Sequence, residues 1–103
     1  MIAILLAAAA LGSNGPISKF DGKAPEADYL SRASLGDIER CLIDMDGHPA
    51  PNVYRQADRP GRVTFIWVVD ARARDRLDLE QRPDGVHVRS WIGSRQAKAC
   101  APA

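Results

Sequence analysis

The chain has 103 residues, which is enough for one domain and too few for two. Hydrophobic residues make up 46% of it and charged residues 26%, as in an ordinary globular protein, and this balance argues against wholesale disorder. The chain has 14 basic and 13 acidic residues, so it lacks the basic excess that drives nucleic-acid binding. We therefore expect no nucleic-acid partner.

The first residues are typical of a secretory signal. Ile2 to Leu11 is an uncharged apolar run, long enough for the core of a signal peptide and too short to span a bilayer. The small residues at 8–10 and 10–12 fit the small-x-small cleavage pattern. We predict a signal peptide at residues 1–12, a periplasmic or secreted mature protein, and no membrane span after cleavage. No basic residue precedes the run, and the alternative is an apolar terminal strand or helix of a cytosolic protein.

The two cysteines agree with export. Cys41 and Cys100 are far apart and form no C-x-x-C pair, and an even count in a small exported chain predicts a disulfide. Closing so long a loop stabilises a fold by about 4 kcal/mol in the chain-entropy model. The alternative is two unrelated buried thiols.

The first half of the domain has helical signals. Residues 13–25 are predicted to be a flexible leader, and residues 26–103 a single domain. Pro25 and Glu26 resemble the start of a helix, because proline and acidic residues are favoured in the first turn. A second helix, or a restart of the first, is predicted from Leu35, since Ser34 begins a capping box. One apolar stripe has helical spacing: Leu35, Ile38, Leu42 and Met45.

The second half has strand signals. We predict strands at Asn52 to Gln56, Arg62 to Asp70, Arg76 to Gln81 and Val86 to Ile92, followed by a short helical turn before Cys100. The third and fourth should form a hairpin with Asp78 and Glu80 opposite His87 and Arg89. The fold class predicted is α+β, with one or two N-terminal helices packed on a three- to four-stranded antiparallel meander stapled by one disulfide.

The segment Asp44 to His48 brings two carboxylates and an imidazole within five residues. A calcium loop needs more oxygen ligands and a glutamate at its twelfth position, where this chain has Arg55. A helix end followed by an Asp-Gly turn explains the segment better. We expect no metal and no cofactor.

Three arginines are the candidate contacts for an anion or a partner. Arg72, Arg74 and Arg76 alternate, so an extended backbone would place their guanidinium groups on one side. Interleaved aspartates favour a solvated, self-neutralising connection as the alternative.

No catalytic residue is predicted. The chain has no G-x-S-x-G elbow, and its two histidines are expected on a turn and on a solvent-facing strand. His87 could form a dyad with Asp78 or Glu80, but such a pair is far more often a surface ion pair.

An apolar set is predicted on the side of the sheet away from the helix: Tyr54, Ile66, Val68 and Trp91. Such residues mark a partner or dimer surface when exposed. Cover by the leader or by the C-terminal tail is the equally weighted alternative.

The leading hypothesis is a non-enzymatic exported domain that binds a macromolecular partner or has a structural role in the cell envelope. One alternative is an inhibitor of a secreted hydrolase, which would need a rigid protruding loop at residues 70–76. A second is a small hydrolase using His48 or His87. A third, a cytosolic protein binding nucleic acid through its basic loop, requires salt-dependent affinity.

Overall fold

A computed structural model describes residues 15–103. The predicted signal peptide, residues 1–12, and the first two leader residues lie outside the described residues. The elements follow in chain order: a 3₁₀ turn Ser18–Phe20, β1 Ala27–Ser31, α1 Leu35–Ile43, β2 Asn52–Gln56, β3 Arg59–Val69, β4 Arg72–Arg82, β5 Gly85–Ser90 and α2 Ser94–Cys100.

The five strands form one antiparallel sheet in the order β1-β5-β4-β3-β2. Strands β2 to β5 are successive neighbours joined by short turns. The first strand does not extend this meander at the β2 end, because α1 carries the chain across the sheet from β1 to β2. The first strand therefore lies beside the last, and β4 is the central strand.

The predicted fold class is wrong. Strand accounts for 43% of the structure and helix for 21%, the strands number five, and the first element of the domain is a strand and not a helix. Ala27 and Ser31 are buried and Tyr29 is half-buried, whereas Asp28 and Leu30 are exposed. This period of two is that of a strand. The acidic residues after Pro25 resemble a helix start, but pairing with β5 determines the conformation.

The helix predicted from Leu35 is confirmed. The hydroxyl of Ser34 accepts a hydrogen bond from the backbone N–H of Asp37 at 3.2 Å, so Ser34 is the N-cap. Ile38 and Leu42 are fully buried against the sheet. The chain turns away after the helix at Gly47, whose φ of 77° favours glycine.

The main core lies between the two helices and one side of the sheet. Alternate residues of β3, β4 and β5 supply it: Val63, Phe65, Trp67, Leu77, Leu79, Val86 and Val88. The predicted disulfide is confirmed, and it joins Cys41 of α1 to Cys100 of α2 with the two Cα atoms 5.4 Å apart. Both helices are thus fastened together over this side of the sheet.

The C-terminal residues lie along β1. Ser31 donates its hydroxyl hydrogen to the carbonyl of Pro102 at 2.6 Å, and the Tyr29 hydroxyl donates to the carbonyl of Ala101. Burial raises the pKa of Tyr29. Within residues 15–103, no helix has the length and apolar character needed to cross a membrane.

Candidate functional site

The side of the sheet opposite the helices, here called the outer face, has charged and polar side chains in its centre. Asp78 lies opposite Arg89 and Glu80 opposite His87 in the register of β4 and β5. The hairpin predicted from their alternation is therefore confirmed.

One end of the outer face is covered by residues 15–23, here called the strap, which include most of the predicted leader. Phe20 is 3% exposed and packs with Ile66 and Ala73 of the sheet. The ring centroids of Phe20 and Trp91 are 6.1 Å apart, and the Trp91 indole N–H donates to the carbonyl of Lys23 at 3.0 Å. The strap gives this end of the outer face a second, smaller core.

Arg76 holds the strap to the sheet. Its Nη1 donates to the carbonyl of Ile17 at 2.7 Å and to the carboxylate of Asp21 at 3.0 Å. Its guanidinium lies 5.0 Å from the centre of the Trp91 ring, within cation–π range. Burial alone would lower the pKa of Arg76, but Asp78 and Asp21 outweigh it and the pKa is raised.

The four residues predicted to share the side away from the helices have different environments. Ile66 is fully buried beneath the strap, and Trp91 is half-buried. Tyr54 and Val68 are each 39% exposed. The leader thus covers the middle of this apolar set, and Tyr54 remains accessible near the far edge of the sheet.

Beyond the strap, the outer face forms an open groove of about 550 Å³, here called the outer groove. Side chains from four strands and from Ile17 of the strap line it. Two carboxylates, Asp78 and Glu80, lie among six arginines. Those arginines are Arg55, Arg59, Arg62, Arg76, Arg82 and Arg89.

Three of the six arginines have acidic partners outside the lining. Arg55 pairs with Glu39 of α1, Arg89 lies 3.7 Å from Asp28, and Arg76 pairs with Asp21 as well as Asp78. The partners of Arg76 and Arg89 leave little unbalanced charge at the strap end of the outer groove, and Glu39 of α1 balances Arg55.

The positive charge is concentrated at the end away from the strap. One carboxylate, Glu80, accepts from both Arg62 at 2.7 Å and Arg82 at 3.0 Å. Hydrogen bonds from Arg62 and then from Arg82 lower the pKa of Glu80. Both arginine side chains are about half exposed, and Arg59 has no ion-pair partner among residues 15–103. Two guanidinium groups thus share one carboxylate, and they can accept an additional anion.

His87 takes a different partner from the predicted one. Its Nε2 lies 2.5 Å from the carboxylate of Asp28 on β1, although Glu80 is its register neighbour on β4. The sequence could not suggest this pair, because β1 was predicted to be helical. His48 is exposed in the turn after α1, so the two histidines do not share a site.

The structure separates the three arginines predicted to lie on one side. The register shift at Trp67 and Val68 leaves Arg74 without a partner on β3, and this bulge breaks the alternation of β4. Arg76 therefore lies in the outer groove. Arg72 and Arg74 line a shallow depression beside Lys19 and Asp70 at the opposite end of β4.

The segment considered for metal binding is an exposed turn. Asp44 is the C-cap of α1, and Asp46 and His48 are exposed. Across residues 15–103, no three His, Cys, Asp or Glu side chains converge in a way that could hold a metal ion.

Comparisons with known proteins give no relative: no family model, no curated protein and no solved structure matches this chain.

Proposed function

We propose that this protein is an exported, non-enzymatic domain that binds an anionic macromolecule in the outer groove. The observation that carries the proposal is an open concave surface on which arginines outnumber the two carboxylates, Asp78 and Glu80. Arginine is the residue best suited to hold carboxylate or phosphate groups through paired hydrogen bonds.

The far end of the outer groove is suited to binding because its arginines are already held in place. Arg62 and Arg82 extend from two neighbouring strands, and both hydrogen-bond to Glu80 between them. Side chains that are ordered before binding lose less conformational entropy when a ligand arrives. An incoming anion competes with Glu80 for the same donors, so affinity should be moderate for one anion and high for several in a row.

The surroundings of the two cysteines and the two buried serines support a binding role over hydrolysis. Both cysteines are in the disulfide, and Ser31 and Ser90 are fully buried on the side of the sheet opposite His87. The inhibitor alternative needs a protruding loop at residues 70–76. These residues form a two-residue turn and the start of β4, which gives that alternative no support.

The disulfide supports export. Structural disulfides persist in oxidising compartments such as the periplasm and the extracellular space, and they are rare in the cytosol. Intact mass from fractionated cells, with thiol alkylation before and after reduction, tests this part. A periplasmic species that starts near Leu11 or Ser13 and is alkylated only after reduction is expected. A full-length cytosolic species with free thiols would overturn it.

Binding is tested with the purified, oxidised protein and surfaces that carry poly-L-glutamate, inorganic polyphosphate, duplex DNA or poly-L-lysine. We expect binding to at least one of the first two, weakening as salt rises because the contacts are ionic. The double variant Arg62→Gln/Arg82→Gln should reduce binding by about tenfold, equivalent to about 1.4 kcal/mol.

The matched control is Arg72→Gln/Arg74→Gln, which removes the same charge outside the outer groove. Its affinity should stay close to that of the natural protein. Equal losses in the two double variants would indicate a response to net charge alone, and no binding to either polyanion would refute the proposal.

A further inference from the structure

The edge of the sheet beside the outer groove is free. The strand β2 is last in the strand order and pairs only with β3, and no other segment of residues 15–103 pairs with it. All five of its residues are exposed. A strand at an edge presents unpaired backbone N–H and C=O groups that can pair with another chain.

The side chains of this edge leave room for an added strand. Val53 is 37% exposed and Tyr54 39% exposed, and they lie on opposite sides of the sheet. Natural proteins block edges with lysine, proline or bulges, and β2 itself contains neither residue. Its one register shift lies between Arg55 and Gln56, so the pairing from Asn52 to Arg55 is regular.

We propose that the anionic partner is a protein, and that an extended acidic segment of it adds to β2 as a sixth strand. This inference rests on the proposed function and specifies the partner of the same site. Main-chain hydrogen bonds to β2 provide the binding, and alternate side chains of the segment point to the outer groove on the side of Tyr54.

The charge of the outer groove selects an acidic segment. An added strand lies two strand spacings from β3, about 10 Å. Extended glutamate and arginine side chains span that distance together, so glutamates on the outer side can reach Arg59 and Arg62, which line the groove beside Gln56. A second copy of this chain would bring the same arginines to the interface, and like charges oppose that pairing.

The chemistry of the edge also separates a protein from a phosphate-bearing polymer. A polyphosphate can use the arginines, but it has no backbone amides to pair with β2. Strand addition therefore predicts affinity that depends on the amides of the partner as well as on its charges.

The test uses an eight-residue peptide of alternating glutamate and threonine, with capped ends, and two N-methylated forms of it. Methylation blocks the glutamate amides in one form and the threonine amides in the other, so all three peptides have the same charge. In an added strand only alternate amides point toward β2. One methylated form should therefore bind at least about tenfold more weakly, a loss of about 1.4 kcal/mol, and the other should retain its affinity.

Hydrogen exchange of the protein provides the second readout. The unmodified peptide should protect alternate amides of Asn52–Gln56, whereas inorganic polyphosphate should leave them unchanged. The analytical ultracentrifuge reports whether a second copy occupies the edge instead. A dimer that dissociates when the peptide is added would overturn the choice of partner.

The outcomes for the proposed function and for strand addition are distinct. Equal affinity for both methylated peptides, with binding still dependent on Arg62 and Arg82, would refute strand addition and leave the anion site standing. Binding of polyphosphate but of no acidic peptide would assign the outer groove to a phosphate polymer. No binding of any polyanion would refute both.

Discussion

Arg76 and Asp78 form a bidentate ion pair within a single strand. The Nε and Nη2 atoms of Arg76 lie 2.8 and 2.7 Å from the two carboxylate oxygens of Asp78. Residues two apart in a strand point to the same side, so this pair needs no turn or second element to bring it together. The hydroxyl of Thr64 on β3 donates to the same carboxylate at 3.1 Å.

The conservative substitution Arg76→Lys should release the strap. Lysine keeps the charge but cannot donate to Asp78, Ile17 and Asp21 in the same planar geometry. We expect the free energy of unfolding to fall by about 1–3 kcal/mol. The backbone amides of Phe20 and Lys23, which hydrogen-bond within the strap, should exchange faster with solvent.

Hydrogen exchange measured by NMR tests this effect locally, and urea denaturation measures the stability. The exposed Arg72→Lys is the matched control, and it should change neither. Unaltered exchange at Phe20 in the Arg76 variant would mean that apolar packing alone holds the strap.

The turn between β3 and β4 is strained at Ala71. Asp70 and Ala71 have φ values of 53° and 62°, as in the tight hairpin turn that favours Asp-Gly. This conformation destabilises the folded state by about 1–2 kcal/mol for an L-residue. Glycine avoids that strain, but it lowers stability by about 0.4–1 kcal/mol because it increases the entropy of the unfolded chain. We therefore expect Ala71→Gly to stabilise the protein by about 0.5–1 kcal/mol in urea denaturation.

The control for this substitution is Ala57→Gly in the turn between β2 and β3. Ala57 is exposed and does not have a positive φ, so glycine there only adds entropy to the unfolded chain. A loss of stability in both variants would show that the strain at Ala71 is negligible.

The Gly85→Ala substitution should be strongly destabilising. The φ of Gly85 is 147°, and a Cβ atom there would meet the carbonyl oxygen of Ser31 at 2.6 Å. Since that oxygen belongs to the backbone of β1, the clash is relieved only by moving β1 away from β5. We expect a cost of about 2 kcal/mol or more, visible as a lower thermal midpoint.

Gly22→Ala is the matched control, because a Cβ atom at Gly22 meets nothing within 4 Å. It should change the thermal midpoint little. A comparable loss in the two variants would contradict the close approach of β1 to Gly85.

Glu80 should make stability depend on pH. Its pKa is lower in the folded protein than its usual value of 4.5, because Arg62 and Arg82 stabilise the carboxylate. A lowered pKa contributes stability that is present above 4.5 and is lost as the pH falls through the folded value. The difference in stability between the natural protein and Glu80→Gln should therefore shrink as the pH is lowered below 4.5.

The same variant should bind poly-L-glutamate more tightly at neutral pH, because it removes the carboxylate that competes for Arg62 and Arg82. Urea denaturation across pH and the surface binding assay measure the two effects. A stability difference that does not vary with pH would rule out the stabilisation of Glu80 by the two arginines.

Local signals in the sequence were sufficient for several elements. The capping serine and the apolar stripe after it predicted α1, and alternation in β4 and β5 predicted their hairpin and its register, but the ion pairs of these side chains form with other residues. The strand β2 has the predicted bounds, Asn52–Gln56. In each of these segments, neighbours along the chain or across one turn determine the conformation.

Non-local pairing explains what the sequence did not predict. The segment Ala27–Ser31 is a strand because β5 lies beside it, and that neighbour comes from the other end of the chain. The outer groove needs side chains from four strands in the correct register, so Arg59, Arg62 and Arg82 had no obvious relation in the sequence. One available signal was missed. Alternation alone places Arg62 on the same side of β3 as Thr64. That side is the one on which β4 carries Asp78 and Glu80.

The place of β1 beside β5 has a consequence for the order in which the protein folds. The hydrogen bond from Ser31 to Pro102 spans 71 residues, so the first strand acquires its final neighbours only after β5 and Pro102 have been made. Contacts of such long range slow folding. Strand order thus delays folding of the domain until β5 and Pro102 have been synthesised, and the bond between Cys41 and Cys100 then closes the chain around the completed sheet.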